Sequence, residues 1–206
     1  MNTETNQMVI DNIVSTRDIY EPFMQNKQLR VTDVDPENGL ELVCYDECND
    51  NSDEIVKECR GIVFKGNDVV FKGFPYTYEI RSDDSNIMEH LSSIKNVRYI
   101  TDAYEGVLIR MFYFNNKWYT TTHRKFDAFR SKWGCQKSFG EIFIEGLHFQ
   151  MAKDELFKQS IEQSFGDDVL TRFQNTLEKN KQYMFLVKNV HENRIVCDEC
   201  TKTRVF

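Results

Sequence analysis

The stretch from Asp102 to Phe126 constrains the fold of this 206-residue chain more than any other. Residues 107–114 are nearly all apolar or aromatic, and residues 117–122 are again β-branched and aromatic. Between them, Asn115 and Asn116 suit a tight turn whose residues need positive φ. The stretch therefore predicts a β-hairpin, and 16 Phe and 9 Tyr in the whole chain are enough to fill a core around it.

Three short motifs, one of them directly before this hairpin, carry a resemblance to a known family. They are Glu58-Cys59-Arg60-Gly61 followed by an apolar run, Ala103-Tyr104-Glu105-Gly106, and Asn193-Arg194-Ile195-Val196. In this order and at these separations they resemble the phage-type ATP-dependent RNA ligases, which belong to the covalent nucleotidyltransferase superfamily. The resemblance covers roughly residues 40–200 and implies a viral source.

Strand and helix signals agree with the α+β nucleotidyltransferase fold that this resemblance implies. Two hairpin patterns and a terminal strand pair predict one twisted antiparallel sheet containing 61–72, 106–122 and 183–196. Apolar residues at helical spacing predict helices within 136–180, packed against the outside of that sheet. We expect one domain over 1–206, with a helical lead-in over 1–39 and a ligase-like core over 40–206.

The same resemblance implies a site that lacks the residues needed for the reaction of the family. In the family a lysine attacks the α-phosphate of ATP, and Ala103, which stands at that position, has no nucleophile. A family glutamate that binds nucleotide and metal corresponds to Val187, which can do neither. Glu105 and Gly106 remain as vestiges of the motif. The terminal lysine pair of the family is also missing before the chain stops at Phe206.

The leading hypothesis is therefore a catalytically inactive RNA-ligase-like domain that needs no cofactor. Such a domain acts as a structural or binding protein in a viral particle or in an RNA-processing or transcription complex. Arg60, whose family counterpart holds the nucleotide phosphates, is either a phosphate ligand or a structural arginine here.

An active nucleotidyltransferase is the first alternative. Lys125, on the strand beside the missing nucleophile, is then the displaced lysine. Arg60, Glu105 and Lys125 are the nucleotide-binding candidates, and ATP and magnesium are cofactors only in this case.

A nucleic-acid-binding module without catalysis is the second alternative. Basic residues and aromatic residues alternate around the central hairpin, as in single-strand binding surfaces. The basic residues are Lys65, Lys72, Arg110, Lys117, His123, Arg124, Lys125, Arg130 and Lys132, and the aromatic ones are Phe112, Tyr113, Trp118, Tyr119 and Trp133. The competing interpretation makes the aromatic residues core and the basic residues a solvated face.

Charge and cysteine content bound the partners and the compartment. The formal net charge of -7 favours a protein partner over general nucleic-acid coating, and RNA remains an open candidate. No apolar run reaches the length of a membrane span, and no secretory signal is recognisable, which predicts the host cytoplasm or the virion. Reduced cysteines are expected there. Cys44, Cys48, Cys197 and Cys200 are either a zinc site or ordinary thiols.

Overall fold

Two four-stranded antiparallel sheets organise the chain in the computed structural model, which describes residues 16–77, 85–93, 106–132, 134, 136–188 and 204–205. The first sheet is a meander of β1 (Leu29–Asp35), β2 (Leu40–Tyr45), β3 (Arg60–Lys65) and β4 (Asp68–Phe71). The second sheet contains β5 (Val107–Phe114), β6 (Lys117–Thr121), β7 (Tyr183–Lys188) and β8 (Arg204–Val205), in the order β6-β5-β7-β8.

Six α-helices and two 3-10 turns lie around these sheets within the described ranges. The α-helices are α1 (Glu21–Gln25), α2 (Glu54–Glu58), α3 (Ile87–Ser93), α4 (Phe139–Lys153), α5 (Glu155–Glu162) and α6 (Val169–Thr176). The 3-10 turns are Arg17–Ile19 and Ala128–Arg130. None of the helices in this part of the chain combines the length and the hydropathy that a transmembrane span requires.

The prediction of one sheet is wrong, because residues 60–71 and residues 107–121 belong to different sheets. Both faces of β5 are apolar, so this strand packs face to face against the first sheet instead of pairing with its edge. Val107, Ile109 and Met111 face helices α4 to α6, whereas Phe112 packs with residues of the first sheet. The predicted helical lead-in over 1–39 is too long, since it ends in strand β1. The predicted turn at 191–193 lies outside the described residues.

Several local predictions are confirmed. Asn115 and Asn116 form the β5–β6 turn with φ of 47° and 60°, values that asparagine tolerates better than most residues. The helices predicted within 136–180 pack on the outer face of the second sheet through Phe143, Phe173 and their neighbours. The mixed α+β class with antiparallel sheets is therefore correct.

A buried arginine joins the two sheets. The guanidinium of Arg110, on β5, donates to the carbonyl oxygen of Gly61 at 2.5 Å and also to the carbonyl of Thr122. Its carbon lies 4.9 Å from the ring centre of Phe71, a cation–π distance. Gly61 has φ of +81°, and a Cβ there would lie 2.6 Å from the guanidinium. Glycine is thus required where the first sheet approaches Arg110.

A second polar link lies at the hairpin turn. The hydroxyl of Tyr119 donates to Asp35 at 2.5 Å, and Asn38 donates to the same hydroxyl at 2.7 Å. Asn115 in turn donates to the side-chain oxygen of Asn38 at 2.5 Å. Desolvation raises the pKa of Asp35, but the hydrogen bonds from Tyr119 and Asn38 outweigh it and leave that pKa below its usual value. The turns of both sheets are thereby fixed to each other.

We predict that Arg110→Met destabilises the fold by about 1–3 kcal/mol, because buried carbonyl oxygens lose their donor while the volume is nearly kept. Urea unfolding followed by circular dichroism measures this change, and Lys158→Met, which removes a cation on the exposed side of α5, is the control. Equal stability of Arg110→Met and wild type would show that the guanidinium does not hold the sheets together.

Candidate functional site

A cavity of about 570 Å³ opens where β5 begins, between the two sheets. We call it the cationic pocket because five positively charged side chains line it. His123 lines it as well. The five are Arg60, Arg124, Lys125, Arg130 and Lys132. No carboxylate lies among the described lining residues, so the electrostatic potential inside the pocket is strongly positive.

The segment 122–132, which supplies most of these cations, is held in place by its own hydrogen bonds. The hydroxyl of Thr122 accepts from the backbone nitrogens of Arg124 and Lys125 at 3.3 and 3.1 Å. The backbone nitrogen of Phe126 donates to Asp33 on β1 at 2.9 Å. These contacts fix the loop before any ligand arrives, which lowers the entropic cost of binding.

The cations are poorly neutralised by the protein itself. Arg124 donates to the backbone carbonyls of Tyr45 and Asp46, at 3.2 and 3.1 Å, which are neutral acceptors. The ammonium of Lys125 lies 3.5 Å from a carbonyl oxygen of β1. Within the part of the chain that the structure describes, none of the five forms a salt bridge. Clustered guanidinium and ammonium groups without carboxylates are suited to binding phosphate oxygens.

The pKa of His123 reflects the positive electrostatic potential of the pocket. Desolvation and then the guanidinium groups of Arg110, Arg124 and Arg60 lower its pKa to about 4. The residue is nevertheless accessible to solvent. It is therefore neutral at pH 7, and a bound anion would favour its protonation.

The structure brings together three of the residues that the sequence singled out. Arg60 on β3, Gly106 directly before β5 and Lys125 line the same pocket. Lys125 lies in the loop after β6 and not on the strand itself, where the sequence predicted it, because β6 ends at Thr121. Ala103 and Glu105 lie outside the described residues.

Val187 does not line this pocket. It is opposite Val107 in the β5–β7 register and is 1% exposed in the core against the helices. Its backbone explains Gly106, because a Cβ at that glycine would overlap the carbonyl of Val187. The glycine of the motif thus has a packing role that is independent of any reaction.

The basic hairpin predicted as a nucleic-acid surface is only partly available. Arg110 is 1% exposed and structural, Lys72 pairs with Glu58 at 2.7 Å, and Phe112 and Tyr119 stack in the core with ring centres 4.8 Å apart. The prediction is wrong for Arg110, Phe112 and Tyr119, because a strand pattern does not tell which face meets another sheet. Arg124, Lys125, Arg130 and Lys132 remain in the pocket.

The structure describes only two of the four cysteines of the predicted zinc site, Cys44 and Cys48. Cys44 is buried, and desolvation raises the pKa of its thiol. Among the described residues no group of three or more His, Cys, Asp and Glu side chains is placed to hold a metal ion. Cys197 and Cys200 lie outside these ranges, so the zinc site stays a prediction.

Sequence reasoning did not identify Arg130 and Lys132 as part of the same site as Arg60. They lie more than seventy positions apart in sequence, and only the face-to-face packing of the sheets brings them together. A run of four basic residues around the 3-10 turn at 128–130 was the only signal, and it is equally typical of a solvated loop.

Comparison with known proteins finds viral relatives. The chain is 42% identical over 161 residues to the immediate-early protein ICP-46 homolog of Invertebrate iridescent virus 6, which covers 77% of this chain and 34% of that protein. It is 27% identical over 170 residues to immediate-early protein ICP-46 of Frog virus 3, which covers 80% of this chain and 39% of that protein.

These relatives support the viral origin that the resemblance implied. The chain spans between 34% and 39% of the length of these curated relatives. No family model matches the chain, and no solved structure matches it.

We predict that His123 makes stability fall as the pH drops from about 6.5 to about 4, the interval between its unfolded and folded pKa values. In that interval His123 binds a proton in the unfolded chain but remains neutral in the folded one. His123→Gln should flatten this part of the pH profile in thermal unfolding, and His148→Gln, on the exposed side of α4, is the matched control. Superimposable profiles for His123→Gln and wild type would contradict the prediction.

Proposed function

We propose that this viral chain is a non-catalytic, RNA-ligase-like domain that binds the phosphate groups of a nucleotide or an RNA. One observation carries the proposal, namely the five cationic side chains that converge on one pocket without a carboxylate among its described lining residues. Such an arrangement is unfavourable by itself because like charges repel. A polyanionic ligand offsets that repulsion.

The placement of the motif residues supports a nucleotidyltransferase-like origin for this pocket. Arg60 follows the first motif glutamate and Gly106 ends the second motif, and both line the cavity between two antiparallel sheets. In the family, the corresponding arginine helps to hold nucleotide phosphates. We propose the same task for Arg60.

The absence of a lysine at position 103 supports a binding role over a covalent one. Alanine has no group that attacks an α-phosphate, so no adenylate can form at that position. The cations of the pocket can still bind phosphate, because this needs charge and hydrogen-bond donors but no nucleophile.

We further propose that the domain works in a viral RNA-processing or transcription complex, in the host cytoplasm or the virion, where it also contacts a protein partner. The relatives are named immediate-early proteins, and we extend that timing to this chain as part of the proposal. The net charge of -7 over the whole chain favours protein contacts over general RNA coating.

We predict that inorganic pyrophosphate and ATP bind in the cationic pocket and that Arg60→Gln combined with Lys132→Gln weakens both at least roughly tenfold, or about 1.4 kcal/mol. Neither side chain makes a hydrogen bond or a salt bridge within the described residues, so the fold should survive. Isothermal titration at two salt concentrations measures the affinities, which should fall as salt rises.

A double variant with the same loss of charge outside the pocket, Lys153→Gln with Lys158→Gln, is the control for this experiment. Binding near pH 5.5 should also take up a proton on His123, which titration in buffers of different ionisation enthalpy detects. Absence of pyrophosphate binding at low salt, or equal weakening by the control variant, would refute the proposal.

An active nucleotidyltransferase remains a second candidate because Lys125 lines the same pocket as Arg60 and Gly106. We predict that incubation with labelled ATP and magnesium or manganese leaves no acid-stable adenylate on the wild-type chain. If a label does appear, the non-catalytic proposal is wrong, and its loss in Lys125→Ala would identify the displaced nucleophile.

A further inference from the structure

A second cavity lies beside the cationic pocket, on the other side of Arg130. Its volume is about 430 Å³, and we call it the aromatic pocket because Trp118, Tyr119, Phe126 and Phe129 line it. Arg130 lines both cavities. The two pockets are thus neighbours that meet at Arg130, and the segment 122–132 forms the boundary between them. We refer to the two pockets together as the cleft.

Phe129 is built as a stacking platform. Its ring packs directly on Gly140 of α4, where a Cβ would lie 2.6 Å from the ring atoms. The residue is nevertheless 39% exposed, although it is a large apolar side chain. Asp127 caps this turn by accepting from the backbone nitrogen of Phe129 at 2.8 Å. The ring is therefore fixed on one side and accessible on another, as base stacking requires.

The polar groups of the aromatic pocket suit an uncharged, hydrogen-bonding ligand part. The indole nitrogen of Trp118 is buried without an acceptor within the described residues. Three carboxylates, Asp33, Asp35 and Asp127, line this pocket together with the cations Lys117 and Arg130, whereas the cationic pocket has no carboxylate among its described lining. Phosphate groups are therefore attracted more strongly to the cationic pocket than to the aromatic one.

We propose that the cleft binds single-stranded nucleic acid, with a phosphate in the cationic pocket and the base of a neighbouring nucleotide stacked on Phe129. Arg130, which lines both cavities, contacts the backbone between the two positions. This inference rests on the proposed phosphate-binding function and adds the class of ligand. A duplex keeps its bases stacked inside the helix, so it does not use the whole cleft.

The test uses the tryptophan of the aromatic pocket as a reporter. The chain has two tryptophans, so Trp133→Phe leaves Trp118 as the only one. In this background we titrate a single-stranded RNA hexamer, the blunt duplex of the same sequence, and inorganic pyrophosphate. The single strand should change the Trp118 emission, whereas pyrophosphate should bind without changing it. The duplex should bind at least roughly tenfold more weakly than the single strand.

Phe129→Ala should weaken the single strand by roughly tenfold or more and leave pyrophosphate affinity unchanged. Phe129→Leu, which keeps an apolar side chain on Gly140 but removes the flat ring, should give the same selective loss if the alanine variant is unstable. Phe165→Ala removes another phenylalanine, 88% exposed and outside both pockets, and is the matched control.

The outcomes separate the two proposals. If pyrophosphate binds through Arg60 and Lys132 but the Phe129 variants bind the single strand like wild type, the stacking inference is wrong and the phosphate pocket stands. If the single strand binds without altering Trp118 emission, the inference is equally wrong. If pyrophosphate does not bind at all, the proposed function itself fails, and the inference that rests on it fails too.

Discussion

The buried guanidinium of Arg110 is the interaction on which the two-sheet structure depends. Burial lowers its pKa to about 9, so it still carries its charge at neutral pH. Carbonyl oxygens of Gly61 and Thr122 replace its water, and the ring of Phe71 covers its face. A buried charge is costly unless its donors are satisfied; the two terminal nitrogens of Arg110 have acceptors, whereas its Nε–H has none among the described residues. The partners of Arg110 come from both sheets, and this requirement fixes the distance between them.

The distance between the sheets also determines the electrostatic potential in the cleft. Arg110 lies close enough to lower the pKa of His123, and Arg60 in turn lowers the pKa of Arg110. The buried cation thus adds to the positive potential of a pocket that already has five cationic side chains. Removing such repulsion by binding an anion stabilises the folded chain, because a ligand that binds only the native state shifts the folding equilibrium. The charge of Arg110, which joins the two sheets, therefore also contributes to binding of the proposed anionic ligand.

Local features of this fold were predictable from sequence, and long-range ones were not. The Asn115-Asn116 turn depends on neighbouring residues only. Two apolar faces on β5 predict a buried strand, but they do not indicate which elements cover which face. For the same reason Arg110 resembled a solvated cation, since its acceptors at Gly61 lie 49 positions away. Arg60 and Gly106 were found through the family resemblance, whereas the rest of the site needed the packing of the sheets.

The segment 122–132 shows how one short stretch serves both parts of the cleft. Thr122 and Asp127 each hold the backbone through their side-chain oxygens, so the loop presents its cations on one side and its aromatic rings on the other. The side of Arg130 with five cations has no carboxylate among its described lining, whereas the other side has three carboxylates, two cations and the aromatic rings. The cleft is therefore strongly cationic at one end and offers a stacking surface at the other. A single-stranded polynucleotide has the same division between a charged backbone and flat, neutral bases. This complementarity does not depend on a lysine at position 103, because strand recognition uses charge and stacking surface and needs no nucleophile.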